Sequence, residues 1–127
     1  KGDCIHCHTL GRNFTDFTYR NNGLDSIPAD SGRAKITLNT NDLGKFKVPS
    51  LRNIEVTAPY MHDGRFSTLQ QVLTHYNTGF HFASNLDPNI RLAVKGRMTQ
   101  QDMDDIIAFL RTLTDQDFLT NPAFGRP

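Results

Sequence analysis

Apolar positions recur at helical spacing in two stretches of the chain. Leu69, Val72, Leu73 and Tyr76 would share one face, and Met103, Ile106, Ile107, Leu110 and Leu113 form a second stripe. The first stripe predicts a helix capped by Ser67, with Gln70 as its capping-box partner, ending before Gly79. The second predicts the clearest helix. It starts at the Thr99 cap with Asp102 in its third position, and Asp102, Asp104 and Asp105 suit the positive end of its dipole. Met98, just before that cap, fits a hydrophobic staple. Elsewhere the pattern breaks up. Lys35-Ile36-Thr37-Leu38 predicts a short strand, and Gly44, Pro49, Pro59 and Gly64 interrupt residues 41–66. Loops are predicted over 11–33, with turn signals at Asn21-Asn22-Gly23 and Ile27-Pro28, and over 77–98, with Asp87-Pro88 and Gly96. The tail after Thr114, with Pro122, Gly125 and Pro127, is expected to lie over the surface. The sum is a mostly α domain spanning 1–127, a few helices joined by long ordered loops.

So much loop in 127 residues needs something central to organise it. Composition sharpens that need. Hydrophobic residues make up 37% of the chain, enough for a thin core that a large apolar cofactor would complete. Fourteen Lys and Arg against thirteen Asp and Glu leave a net charge of +1, which does not fit a nucleic-acid or membrane-surface binder. No apolar run approaches the roughly 18 residues of a membrane span. The chain begins at Lys1-Gly2-Asp3-Cys4 without Met or leader, which reads as a mature or trimmed piece and carries no information on compartment.

Both cysteines lie in Cys4-Ile5-His6-Cys7-His8, the C-x-x-C-H attachment pattern of c-type haem. Two thiols three residues apart on a helical turn can each bond one porphyrin vinyl group. His8 then offers a ring nitrogen to the iron from the proximal side, while His6, between the thioether positions, is expected to face solvent. Other readings carry less. Four ligands within five residues can hardly surround one tetrahedral zinc ion, and no second Cys pair exists to complete a zinc ribbon. A thioredoxin-like pair needs a βαβ setting. A plain Cys4–Cys7 disulfide is the reading for a chain that never received haem.

The sixth iron ligand tunes such a haem, Met raising its potential and Tyr phenolate favouring ferric iron. Met61, His62, His75, Tyr76, His81, Met98 and Met103 are the candidates. Met103 falls on the buried stripe and Met98 at the staple, so both read as core. Spacing alone does not decide for Met61.

Phe46-Lys47-Val48-Pro49-Ser50-Leu51-Arg52-Asn53, then Thr57-Ala58-Pro59-Tyr60-Met61-His62-Asp63-Gly64-Arg65-Phe66, resembles the C-terminal haem domain of the bacterial dihaem cytochrome c peroxidase and MauG family. Residues 68–79 and the final helix with Phe109-Leu110-Arg111-Thr112-Leu113-Thr114 continue the resemblance. With C-x-x-C-H it covers nearly the whole chain.

The resemblance implies a cytochrome c-like fold around one covalent haem c. Cys4 and Cys7 would be the thioether residues, His8 the proximal iron ligand and Tyr76 the distal one, with Met61 the alternative. It also implies calcium at the domain interface, held in part by the backbone carbonyls of Thr57 and Pro59. Arg52 and Arg65 are candidate propionate partners, because guanidinium groups match carboxylates in fork geometry; His62 is a further candidate near the haem. Asn53, Thr57 and Asn77 are expected to satisfy loop backbone groups.

By the same resemblance, the chain would be the electron-transfer half of a periplasmic enzyme that reduces peroxide or uses it to drive an oxidation. The N-terminal peroxidatic haem domain and a small donor, a cytochrome c or a cupredoxin, would be its partners. The piece itself would have little peroxidase activity. The competing class is a stand-alone mono-haem electron carrier.

Overall fold

The computed structural model describes residues 1–11, 13–92 and 95–125; Pro127, assigned above to the surface tail, lies outside them. In chain order the elements are β1 (Tyr19–Arg20), α1 (Ala34–Thr37), β2 (Phe46–Lys47), α2 (Leu69–Thr74), α3 (Pro88–Arg91), α4 (Gln100–Arg111) and α5 (Gln116–Thr120). Short 3-10 turns punctuate the loops, and a π turn, His75–Gly79, continues α2. The only sheet among these residues is the antiparallel pair β1–β2, with Tyr19 opposite Lys47 and Arg20 opposite Phe46. A mostly α fold is what the hydrophobic periodicity predicted.

The frame is the packing of α2 on α4. Leu73, Met98 and Met103 form one buried cluster with Ile106 and Ile107 against it. Each such side chain withdrawn from water contributes about 1.5–3 kcal/mol. Helix α4 begins as expected. Thr99 accepts from the Asp102 N–H, and the Asp102 carboxylate reaches back to the Thr99 N–H at 2.8 Å, a reciprocal capping box. Met98 at the preceding position shares the core with Met103 in the staple arrangement.

Four expectations are corrected; the first is the loop over 11–33, which contains strand β1 because Tyr19 and Arg20 pair with Lys47 and Phe46. The cap of α2 is Thr68 with Gln71, one residue later than Ser67 and Gln70, although Ser67 also donates to Gln71 Oε1. The stretch Lys35–Leu38 is a helical turn, not a strand. Leu38 takes a left-handed conformation that closes α1, and Asp42 ties to Arg33, Thr37 and Lys45 beneath it. Within the loop expected over 77–98, Asp87 caps α3 with Pro88 at its first position, a site where proline loses no hydrogen bond.

The loops are ordered by polar clamps. Buried Thr15 donates to the Val48 carbonyl at 2.7 Å, and Arg20 pairs with Asp16 and Asp87. Asn53 accepts the Asp115 N–H at 2.6 Å, Asn77 holds Met98 and Thr57 donates to the Ile54 carbonyl, the structural roles expected of all three. The tail is exposed, with Phe118 against Phe124. No helix among the described residues is long and apolar enough to cross a membrane.

Candidate haem-attachment site

Cys4–His6 forms a single 3-10 turn whose carbonyl at Cys4 receives the N–H of Cys7 at 3.2 Å and of His8 at 2.9 Å. Those two bonds tie the backbone of Cys7 and His8 back to Cys4. His6 is exposed and pairs with Asp3, as its position between the cysteines predicts. Both thiols are free. Burial raises the Cys4 pKa, against the lowering effect of the Arg97 charge. Burial also pushes Cys7 up, to about 11. Among the described residues no three His, Cys, Asp or Glu side chains converge on a common metal position.

Gly2, just before the turn, lies against α4. Gly2 sits so close that a Cβ there would lie 3.1 Å from Ile106 Cδ1 and 3.2 Å from the Cys4 sulfur. His8 is fixed by the loop that follows it. Its Nδ1 lies 2.8 Å from the Phe14 carbonyl. Because a carbonyl can only accept, Nδ1 carries the proton, and Nε2 is left unprotonated, the form in which an imidazole can ligate a metal. Burial lowers the His8 pKa, which favours that neutral form.

Tyr76 sits in the π turn after α2, half-buried. Burial raises its pKa; the Asn22 amide works the other way, and the nearby Cys7 and Cys4 add to the rise. Met61 approaches the same place. It lies at the tip of a hairpin closed by Tyr60 and Phe66, where Tyr60 N donates to Phe66 O at 2.7 Å. Asn22 joins them: its Nδ2 is 3.4 Å from the Tyr76 hydroxyl and 3.4 Å from the Met61 sulfur. Nothing in the sequence marked Asn22 except its place in a turn signal.

The remaining candidates lie elsewhere or are occupied. Met98 and Met103 are buried core. His75 is buried, and its Nε2 is 3.1 Å from the Asn22 carbonyl. His81 is exposed. His62, also exposed, stacks on Phe46 with ring centroids 3.7 Å apart. Arg65 is held by Asp25 at 2.8 Å and Asp63 at 2.7 Å, so it would have to release both to grip a propionate. Arg52 has a looser tie, through Nε to the Asn13 side-chain oxygen. Thr57 and Pro59 are exposed in the loop around the cis Ala58-Pro59 bond.

The donor set suits a c-type haem. It offers two thiols three residues apart, an imidazole whose Nδ1 is held by a carbonyl, and a phenol and a thioether that share the Asn22 amide.

No family model matches the chain. It is 35% identical over 116 residues to the methylamine utilization protein MauG of Methylorubrum extorquens, covering 89% of this chain and 31% of that protein. It is 32% identical over 115 residues to the cytochrome c551 peroxidase of Nitrosomonas europaea, covering 87% of this chain and 30% of that one. The crystal structure of a MauG-like protein associated with microbial copper homeostasis superposes with a TM-score of 0.86 at 34% identity. That match covers 100% of this chain and 47% of the other. The chain thus spans about a third of the length of the curated relatives it matches.

Proposed function

We propose that this chain, which belongs to the MauG and dihaem cytochrome c peroxidase family, is the C-terminal, electron-transfer haem domain of a longer peroxide-handling protein. The observation that carries the reading is one turn presenting Cys4, Cys7 and His8, with His8 Nδ1 already committed to the Phe14 carbonyl. Cys4 and Cys7 would hold haem c by thioether bonds, and His8 would ligate the iron through Nε2. When bound, that group supplies one-electron redox chemistry. The His8–Phe14 hydrogen bond fixes the imidazole's tautomer and orientation, the usual second support of a metal-bound histidine.

Tyr76 would take the distal position, with Met61 the alternative. A phenolate ligand there would favour the ferric state and would keep peroxide from the iron. The domain would therefore pass electrons rather than meet substrate. In the parent protein a small redox donor, a cytochrome c or a cupredoxin, would deliver them. The N-terminal haem domain would then reduce hydrogen peroxide to water with two electrons and two protons, or drive a related oxidation. The carbonyls of Thr57 and Pro59 would give two of the six to eight oxygens that calcium takes, the rest coming from the partner domain and water. Family membership supports a periplasmic location for the parent.

The test uses the chain loaded with haem in a host that has the attachment machinery. Its ferric absorption spectrum is expected to carry tyrosinate bands that Tyr76→Phe removes, leaving five-coordinate or water-ligated iron. An unchanged ferric spectrum in that variant eliminates Tyr76. The isolated chain should turn peroxide over far more slowly than an intact dihaem relative; a comparable rate would overturn the electron-transfer assignment.

A further inference from the structure

One half-buried amide contacts both side chains that could reach the iron from the distal side. Among the described residues, the hydrogen-bond partners of Asn22 Nδ2 are the Tyr76 hydroxyl and the Met61 sulfur, each at 3.4 Å. A thioether sulfur accepts and cannot donate, so the face of Asn22 turned to this pair is its N–H face. The phenolic oxygen is accordingly held as an acceptor.

The main chain around Asn22 does separate work. The Asn22 carbonyl lies 3.1 Å from His75 Nε2, the Asn21 carbonyl accepts the Asp87 N–H at 3.0 Å, and the Gly23 carbonyl accepts the His81 N–H at 2.7 Å. A Cβ on Gly23, at φ 71°, would come within 2.7 Å of the His81 carbonyl, so this strip is fixed in place. Fold contacts are made by its backbone, and the Asn22 side chain is free to act on the ligand pair. Met61 holds φ 73°, a left-handed conformation uncommon for a long unbranched side chain, and such local cost clusters at functional sites.

We infer that Asn22 is a positioning residue that selects Tyr76 over Met61 as the distal ligand, by donating an N–H to the phenolic oxygen. The inference rests on the reading of Tyr76 as the ligand in "Proposed function". A hydrogen bond donated to an ionised oxygen is roughly twice as strong as one to a neutral acceptor. At 3.4 Å the contact holds the Tyr76 oxygen in place as an acceptor, the orientation a ligating oxygen needs. The contact to sulfur is weaker in kind, because a thioether is a poor acceptor. Removing the donor withdraws support from the phenolic oxygen and leaves Met61, beside it, as the competing ligand.

The experiment compares haem-loaded wild type, Asn22→Leu, Asn22→Asp, Asn22→Leu/Met61→Leu and Tyr76→Phe. Resonance Raman spectra report iron-bound tyrosinate, the near-infrared sulfur-to-iron band reports Met ligation, and far-ultraviolet circular dichroism reports folding. Asn22→Leu and Asn22→Asp should lose the tyrosinate bands from most of the ferric population and gain the sulfur band. The double variant should show neither. Should Asn22→Leu fail to load haem, Asn22→Asp, nearly identical in shape but without the donor, carries the test. A folded Asn22 variant with tyrosinate bands unchanged in position and intensity, alongside a Tyr76→Phe variant that has lost them, overturns the role of Asn22 alone. A Tyr76→Phe variant spectrally identical to wild type overturns the ligand reading, and the role of Asn22 with it.

Discussion

Asn77 grips the main chain of Met98 at both polar groups: its Nδ2 donates to the Met98 carbonyl at 2.9 Å and its Oδ1 accepts the Met98 N–H at 3.0 Å. Both residues are buried. One end of this clamp is the residue after Tyr76, and the other is the residue before the Thr99 cap of α4. The π turn that carries Tyr76 is thereby tied to the start of α4.

Replacing Asn77 by Ala leaves a buried N–H and a buried carbonyl without partners. At about 1–3 kcal/mol for each group, the haem-loaded chain should lose about 2–6 kcal/mol of stability. Urea denaturation followed by circular dichroism measures it. A loss below about 1 kcal/mol would mean that water replaces the clamp and that it does not fix the π turn.

The capping box of α4 makes two separable predictions. Thr99→Ala should cost about 1 kcal/mol in the same experiment. Hydrogen bonds from Thr99 and Lys1 hold the Asp102 pKa down from its ordinary 3.8 to about 2. A carboxyl lowered on folding stabilises the native state fully above its unfolded value, and that contribution is lost as pH falls through the folded one. Thermal melts of wild type should therefore fall between pH 4 and pH 2 more steeply than those of Asp102→Ala. Parallel slopes in that window would show that Asp102 makes no such contribution.

Arg65 sits between Asp25 and Asp63 near the surface, with 36% of its side chain exposed. Exposed ion pairs are usually worth about 0–1 kcal/mol. Arg65→Ala is expected to lower stability by no more than about 1 kcal/mol and to leave the ferric haem spectrum unchanged. A shifted spectrum would instead make Arg65 a haem contact that breaks its carboxylate pairs on loading.

What the sequence revealed depended on the range of the interaction. Helix α4 was legible because its stripe, its Thr99 cap and its Asp102 partner lie within a few turns of one another. The α2 cap was misplaced by one residue because Ser67 and Thr68 are both good caps, each with a Gln three positions on, and the apolar stripe fits either. Ile36 and Thr37 are β-branched and suggested a strand; the short α1 turn forms because Asp42 ties it down from five residues and more away. The cysteine turn and His8 were plain because attachment needs adjacent residues. Asn22 was not, because its partners lie 39 and 54 positions along the chain, where no local pattern reaches.

The central claim, that Cys4 and Cys7 carry a covalent haem, is tested most directly by acid–acetone extraction followed by intact mass measurement of the denatured chain. The chain made with the attachment machinery is expected to keep all its haem through extraction and to weigh one haem more than the bare polypeptide. Cys4→Ser/Cys7→Ser should release it. Haem that extracts fully from the wild-type chain, leaving the bare polypeptide mass, would contradict the account.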